Sequence, residues 1–160
     1  MPRDLQQALD HLDILNLYAS YTYAADKADK DGFIDCFTPD ATNDISSFVK
    51  ALGSAGQEII GQFADERGVV TGHDNLRKLA SLALDAHHVS TNIRIRFIDA
   101  DRAEGCAYFV VFTPDEGRVE HYGRYEDELV RCPDGRWRMK SRKDIAIYER
   151  DHPLPHNYGA

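Results

Sequence analysis

Cysteine is scarce in this 160-residue chain: Cys36, Cys106 and Cys132 are widely spaced and odd in number. They form no Cys-x-x-Cys pair and no Cys/His zinc spacing, so a disulfide framework and a zinc module are both excluded, and a reducing cytoplasmic setting is expected. Basic residues are in deficit. The 19 Lys and Arg face 27 Asp and Glu, a formal charge of -8. That excludes nucleic acid and acidic membranes as main partners, because both select a basic surface. No run reaches the roughly eighteen apolar residues of a membrane span. The opening Met-Pro-Arg-Asp-Leu-Gln-Gln carries no apolar signal core. Internal repeats, low-complexity tracts and His-x-His pairs are all missing. No metal site is therefore expected.

What is present is one sizeable core. Hydrophobic residues make up 42% of the chain, and the length suits one domain, read here as 1–148. The tail, 149–160, holds Pro153, Pro155 and Gly159 with little periodicity. It either lies free or drapes over a pocket or a neighbouring subunit.

Residues 86–97 organise the rest. Val89, Thr91, Ile93, Ile95 and Phe97 alternate with His88, Ser90, Asn92, Arg94 and Arg96. Strict alternation of β-branched and polar residues predicts a strand with one face inward. Its polar face meets either water or a ligand cavity. Ahead of it, residues 4–26 predict an amphipathic helix. Leu5, Ala8, Leu9, Leu12, Leu15, Ala19 and Tyr23 form its main stripe, widened by Ile14, Leu17, Tyr18 and Tyr21. Asp26 falls at the end of that stripe, either solvated or at a pocket mouth. A short helix follows from Asp29 or Asp31, with Phe33, Ile34 and Phe37 inward and Thr38-Pro39-Asp40 as its stop. Residues 41–49 read as a strand, and 51–68 as a loop with a short helix or strand. A third helix opens at Thr71-Gly72-His73-Asp74 and runs to about Asp85. Strands are then expected over 103–113, 118–131 and 136–148, the last two joined by the Cys132-Pro133-Asp134-Gly135 turn. Short turns between consecutive strands imply an antiparallel meander, and the helices before it imply an α+β layer arrangement.

Several of these stretches, in this order, resemble a known family. They are Tyr23-Ala24-Ala25-Asp26-Lys27, Phe37 to Ala41, Thr71-Gly72-His73-Asp74, the strand from His88 to Asn92, and the hairpin from Gly123 to Trp137. Together they resemble the SnoaL-like family of the nuclear-transport-factor-2 superfamily, closest to the group of scytalone dehydratase and hexachlorocyclohexane dehydrochlorinase. The resemblance implies a cone-shaped curved antiparallel sheet, an α+β barrel closed by three N-terminal helices around a central pocket. It implies a catalytic Asp–His pair, mapped onto Asp26 and His88. It also implies that Arg142 lines the pocket. Tyr18, Tyr21, Tyr125, His121 and Asn92 complete the substrate-contacting set. A homodimer or homotrimer is expected, with Tyr108, Val110 and Ile95 on the outer, subunit-facing side of the sheet.

The chemistry of such a pair is definite. An aspartate bonded to one imidazole nitrogen fixes the tautomer and stabilises the imidazolium formed when the other nitrogen takes a proton. That suits removal of an acidic C–H beside a carbonyl or leaving group, followed by return of the proton to a departing hydroxyl. The expected activity is a cofactor-independent, dehydratase-like lyase or isomerase acting on a hydrophobic, cyclic metabolite. Phe33, Phe37, Phe63, Phe109 and Phe112 would supply an apolar wall. Tyrosines or Arg142 would steady a developing oxyanion. Two other readings stay open: a structural subunit like the small subunit of ring-hydroxylating dioxygenases, and a binding pocket without turnover.

Overall fold

The computed structural model describes residues 5–49, 54–82, 86–113 and 118–149. The described residues form five helical segments and six strands, in the order α1 (Leu5–Asp26), α2 (Lys30–Asp35), β1 (Phe37–Asp44), α3 (Ser46–Val49), α4 (Ser54–Ile60), β2 (Val69–Thr71), α5 (Gly72–Ala80), β3 (His87–Phe97), β4 (Arg102–Phe112), β5 (Val119–Arg131) and β6 (Trp137–Glu149). One sheet holds all six strands in the order β2-β1-β6-β5-β4-β3. The predicted meander is its larger part, with β3/β4, β4/β5 and β5/β6 all antiparallel. The sheet is mixed rather than purely antiparallel, because β1 returns beside β6 in parallel. Pro39, expected to stop a helix, sits inside β1, where the register slips between Phe37 and Thr42. A slipped ladder needs no hydrogen from proline nitrogen, so the residue is tolerated there. The stretch expected to continue as strand to residue 49 turns instead into α3. The third predicted helix stops at Ala80, and residues 83–85 and the tail beyond 149 lie outside the described part.

Helix α1 packs with the opposite preference from its main apolar stripe. Ile14, Leu17, Tyr18, Tyr21 and Ala24 are buried, while Leu5 is 74% and Tyr23 66% exposed. The helix is apolar over a wide arc, so periodicity allowed either face. Aromatic packing decides between them. The Tyr21 ring lies 5.1 Å from Phe33 and 6.0 Å from Tyr125, and Phe109 stacks on Tyr125 at 4.5 Å. Such pairs add about 0.5–1.5 kcal/mol each beyond simple burial. Room for them is made by glycine on the concave face. A Cβ at Gly105 would meet the Tyr18 hydroxyl, and one at Gly123 would meet the Ile145 carbonyl and the Phe109 ring.

Strand β3 departs from alternation at one place. Thr91 faces Tyr108 and Arg94 faces Cys106, so Asn92 and Ile93 together oppose a single residue of β4. Asn92 takes a left-handed backbone, φ 52°. This is a β-bulge, and it moves every later side chain to the other face. Before it, His88 and Ser90 sit opposite the buried Val111 and Phe109; after it, Ile95 and Phe97 sit opposite the buried Gly105 and Ala103. The five polar residues expected on one face are therefore divided. Arg94, Arg96 and Asn92 go outward, and His88 and Ser90 inward. Ile95, expected on the outer face, packs partly buried against the core, whereas Tyr108 remains half exposed outside.

Candidate active site

Asp26 ends α1 and His88 opens the inward face of β3. The Asp26 carboxylate oxygen Oδ1 accepts the His88 backbone N–H at 2.9 Å and lies 2.7 Å from His88 Nδ1. The geometry assigns the ring proton to Nδ1, which leaves Nε2 as the proton-accepting nitrogen. Both side chains are about four-fifths covered: 20% of His88 and 18% of Asp26 remain accessible. His87 points the other way, 67% exposed, with Nδ1 3.7 Å from the second Asp26 oxygen. Asp26 thus ties the end of α1 to β3 twice, through backbone and ring.

His88 lines a cavity of about 510 Å³ on the concave side of the sheet. Its wall is mainly apolar. Ile45, Phe48, Ile59, Ile60, Leu79 and Leu82 come from the stretch that follows β1 and runs just past α5, and Phe33 and Phe109 from α2 and β4. A few polar groups converge on it: Tyr21, Asn43, Glu120, His121, Tyr125 and Asp144. A bulge in β5, where Val111 faces His121 but Phe112 faces Val119, brings the consecutive Glu120 and His121 to the same wall. An apolar pocket with few convergent polar groups is the usual form of a small-molecule site. A second depression, of about 530 Å³, lies between α1 and the β5–β6 turn. It is lined by groups such as Asp13, Lys27, Asp29 and Arg136 and includes neither Asp26 nor His88.

Of the residues expected to contact substrate, Tyr21, Tyr125 and His121 are on the cavity wall. Arg142, Tyr18 and Asn92 are not. Arg142 is fully buried behind the wall. Its Nε and Nη2 donate to the two Asp127 oxygens at 2.7 and 2.9 Å. Its guanidinium is clasped 3.9 Å from the Tyr125 ring centre and 4.2 Å from that of Tyr21. The Tyr18 hydroxyl also donates to Asp127. A bidentate carboxylate and two ring faces occupy the arginine, so it holds the tyrosines rather than lining the pocket. Asn92 is carried outward by the bulge. Among the described residues no group of three or more His, Cys, Asp or Glu is placed to hold a metal ion.

Asn43, Glu120 and Asp144 were not expected on the wall. The signal for Asp144 was available: it is two residues from Arg142 on one strand, so the two share a face. Burial pushes the Asp144 carboxyl up to about 7, with Asp127 and Asp44 adding to the effect and Arg142 opposing it. Burial, with His88 nearby, lowers His121 to about 4, so His121 is neutral at neutral pH. Burial also raises the Tyr21 and Tyr125 hydroxyls, keeping both protonated as donors.

The Asp144 shift has a sign that can be measured. Between an unfolded value near 3.9 and about 7, the folded chain binds more protons than the unfolded one. Stability attributable to this group is therefore full below about pH 4 and declines as pH rises to about 7, by a few kcal/mol in all. Asp144→Asn is expected to remove that decline, so urea unfolding of variant and wild type should diverge in the variant's favour between pH 4.5 and 8. A constant difference across that range would show that Asp144 does not titrate in this window.

A mixed, curved six-stranded sheet closed by helices over an apolar cavity defines the cystatin-like, nuclear-transport-factor-2-like class of α+β folds. Within it, residues 6–143 match the model of the SnoaL-like domain, and the chain belongs to that family. No curated protein matches it in sequence. Solved structures match it in fold. A candidate scytalone dehydratase from Novosphingobium aromaticivorans superposes with a TM-score of 0.72 at 18% identity, over 97% of both chains. The hexachlorocyclohexane dehydrochlorinase LinA-type3 from Novosphingobium barchaimii gives 0.69 at 18%, over 99% of both. A protein of unknown function from Mycobacterium tuberculosis gives 0.70 at 22%, over 92% of this chain and 82% of that one. No helix among the described residues is long and apolar enough to cross a membrane.

Proposed function

We propose that the protein is a cofactor-independent lyase or isomerase in which His88, oriented by Asp26, abstracts a C–H proton from a hydrophobic, cyclic, carbonyl-bearing metabolite. The observation that carries this reading is the 2.7 Å contact between Asp26 Oδ1 and His88 Nδ1 on the rim of an apolar cavity. Asp26 holds the imidazole in one tautomer and balances the imidazolium as it forms. The reacting carbon lies next to a carbonyl, whose oxygen gains charge as the proton leaves. Tyr21 and Tyr125 face the same cavity as neutral hydroxyls and supply hydrogen bonds to that charge. Where a leaving group stands beta to the carbonyl, its loss completes an elimination; where none does, return of the proton at another carbon shifts a double bond. The apolar wall favours alicyclic or polycyclic substrates over charged ones. The fold neighbours named for dehydratase and dehydrochlorinase chemistry support the reaction class.

The test is solvent deuterium incorporation next to the carbonyl in a panel of cyclic ketones and β-hydroxy ketones, followed by NMR. Wild type is expected to exchange at least one member, and His88→Ala to lose about 10²–10⁴ of that rate. Exchange at the same rate in both proteins would rule out His88 as the base.

A further inference from the structure

Among the described residues, Asn43 and Asp144 on the cavity wall carry buried polar atoms that make no hydrogen bond. Asn43, on β1, is completely buried, and neither its Nδ2 nor its Oδ1 makes a hydrogen bond. Asp144, on β6, is buried, and its Oδ1 is likewise without a partner. Leaving such groups unpaired costs about 1–3 kcal/mol each. The other buried aspartates among the described residues are treated differently. Asp10 pairs with Arg131 at 2.6 Å, and Asp127 with Arg142 and Tyr18. Asn43 and Asp144 line the same cavity as His88. We propose that Asp144 is the acid partner of His88: its carboxyl, assisted by the Asn43 amide, binds the hydroxyl of a β-hydroxy carbonyl substrate and protonates it as it leaves.

This rests on the reading of His88 as the base and adds the second half of the reaction. His88 Nε2 takes the proton from the carbon beside the carbonyl. The C–H electron pair becomes the new C=C bond. The C–O bond breaks toward oxygen, which takes the Asp144 proton and departs as water. The products are an α,β-unsaturated carbonyl compound, a His88 imidazolium and an Asp144 carboxylate. Transfer of one proton from the His88 imidazolium to the Asp144 carboxylate, through solvent, restores the starting state. No oxidant or co-reactant is needed. The surroundings suit an acid kept protonated. Asp127 on β5 and Asp44 on β1 disfavour the Asp144 carboxylate, against the single opposing charge of Arg142. The other ionisable groups on the wall are His88, Glu120, His121 and the hydroxyls of Tyr21 and Tyr125. With the Asp144 carboxyl near 7, elimination of hydroxide should weaken as pH rises through neutrality.

The test compares two leaving groups in the full chain. Hydroxide needs a proton to depart, and acetate does not. Elimination from cyclic β-hydroxy ketones and from the matching β-acetoxy ketones is measured for wild type, Asp144→Asn and His88→Ala. Asp144→Asn should lose about 10²–10⁴ in hydroxide elimination and far less in acetate elimination; His88→Ala should lose both alike. Infrared spectra of the wild type should show a protonated-carboxyl band that disappears above neutral pH and is missing from Asp144→Asn. Equal losses for the two leaving groups in Asp144→Asn, with His88 dependence intact, overturn the acid role alone. Elimination of neither group by wild type overturns both it and the His88 reading. Absence of the infrared band at pH 6 overturns the acid role whatever the kinetics.

Discussion

Asp26→Asn is expected to lower deuterium exchange by about 10²–10⁴ while the protein stays folded. The substitution is isosteric, yet it changes what His88 can do. Asp26 Oδ1 accepts two hydrogen bonds, from the His88 backbone and from Nδ1. Asparagine keeps one acceptor oxygen but adds an N–H₂ group. If the amide turns that group toward the ring, Nδ1 becomes an acceptor, the proton moves to Nε2, and the base is lost. If it does not, the ring keeps its tautomer but the imidazolium loses its counter-charge. Either outcome slows proton abstraction. The structural penalty is smaller, of the order of 1.5–3 kcal/mol for a weakened charge-assisted bond at a partly covered site. Parallel exchange rates and urea unfolding curves separate the two effects. A normal rate with reduced stability would reduce Asp26 to a tie between α1 and β3.

Arg142→Met should be the most damaging single change to stability, lowering the unfolding free energy by about 3–5 kcal/mol. Both Arg142 and Asp127 side chains are wholly inaccessible. Removing the guanidinium leaves the Asp127 carboxylate in a low-dielectric interior with only the Tyr18 hydroxyl, and takes the cation from between the Tyr21 and Tyr125 rings. The exposed Arg67–Asp65 pair, at a similar 2.8 Å, is the contrast. Solvent screening leaves pairs of that kind little net effect on stability, so burial, not distance, decides the difference. Asp127→Asn added to Arg142→Met should recover much of the loss, because no uncompensated charge then remains. Denaturant unfolding of the single and double variants measures this. A single-variant loss no larger than that of Arg67→Met would mean the pair is hydrated.

The two results bear on one arrangement. The ion pair behind the wall sets the tyrosines, and the tyrosines and His88 border the same cavity. Tyr21 touches Phe33, Phe37 and Tyr125, so loosening Arg142 should also disturb the cavity. Some loss of exchange in Arg142→Met is expected through Tyr21 and Tyr125 rather than through direct contact with substrate.

Much of the frame was legible from residue order alone. The strands of the meander begin and end within a residue or two of the expected positions, because β-branched alternation and turn residues act over a few neighbours. Asp26 and His88 were matched through the order of the motifs around them, and the fold sets them in contact across 62 positions of sequence. What periodicity could not show were events between strands. The bulge at Asn92 is defined by counting residues against β4, so nothing within β3 alone announced that His88 and Ser90 would share the inward face with Ile95 and Phe97 while Arg94 and Arg96 turned out. Helix α1 offered two overlapping apolar faces, and the choice fell to Tyr18 and Tyr21, whose partners Asp127 and Tyr125 lie more than a hundred residues away. The same long-range packing withdrew Arg142 behind the wall and left Asn43 and Asp144 on it. The sequence by itself determined the elements, their order and the residue types available for chemistry, since these follow from local conformational preference. Only the tertiary structure decided which polar groups are paired and which face the cavity, because burial and pairing depend on neighbours that the chain brings together only on folding.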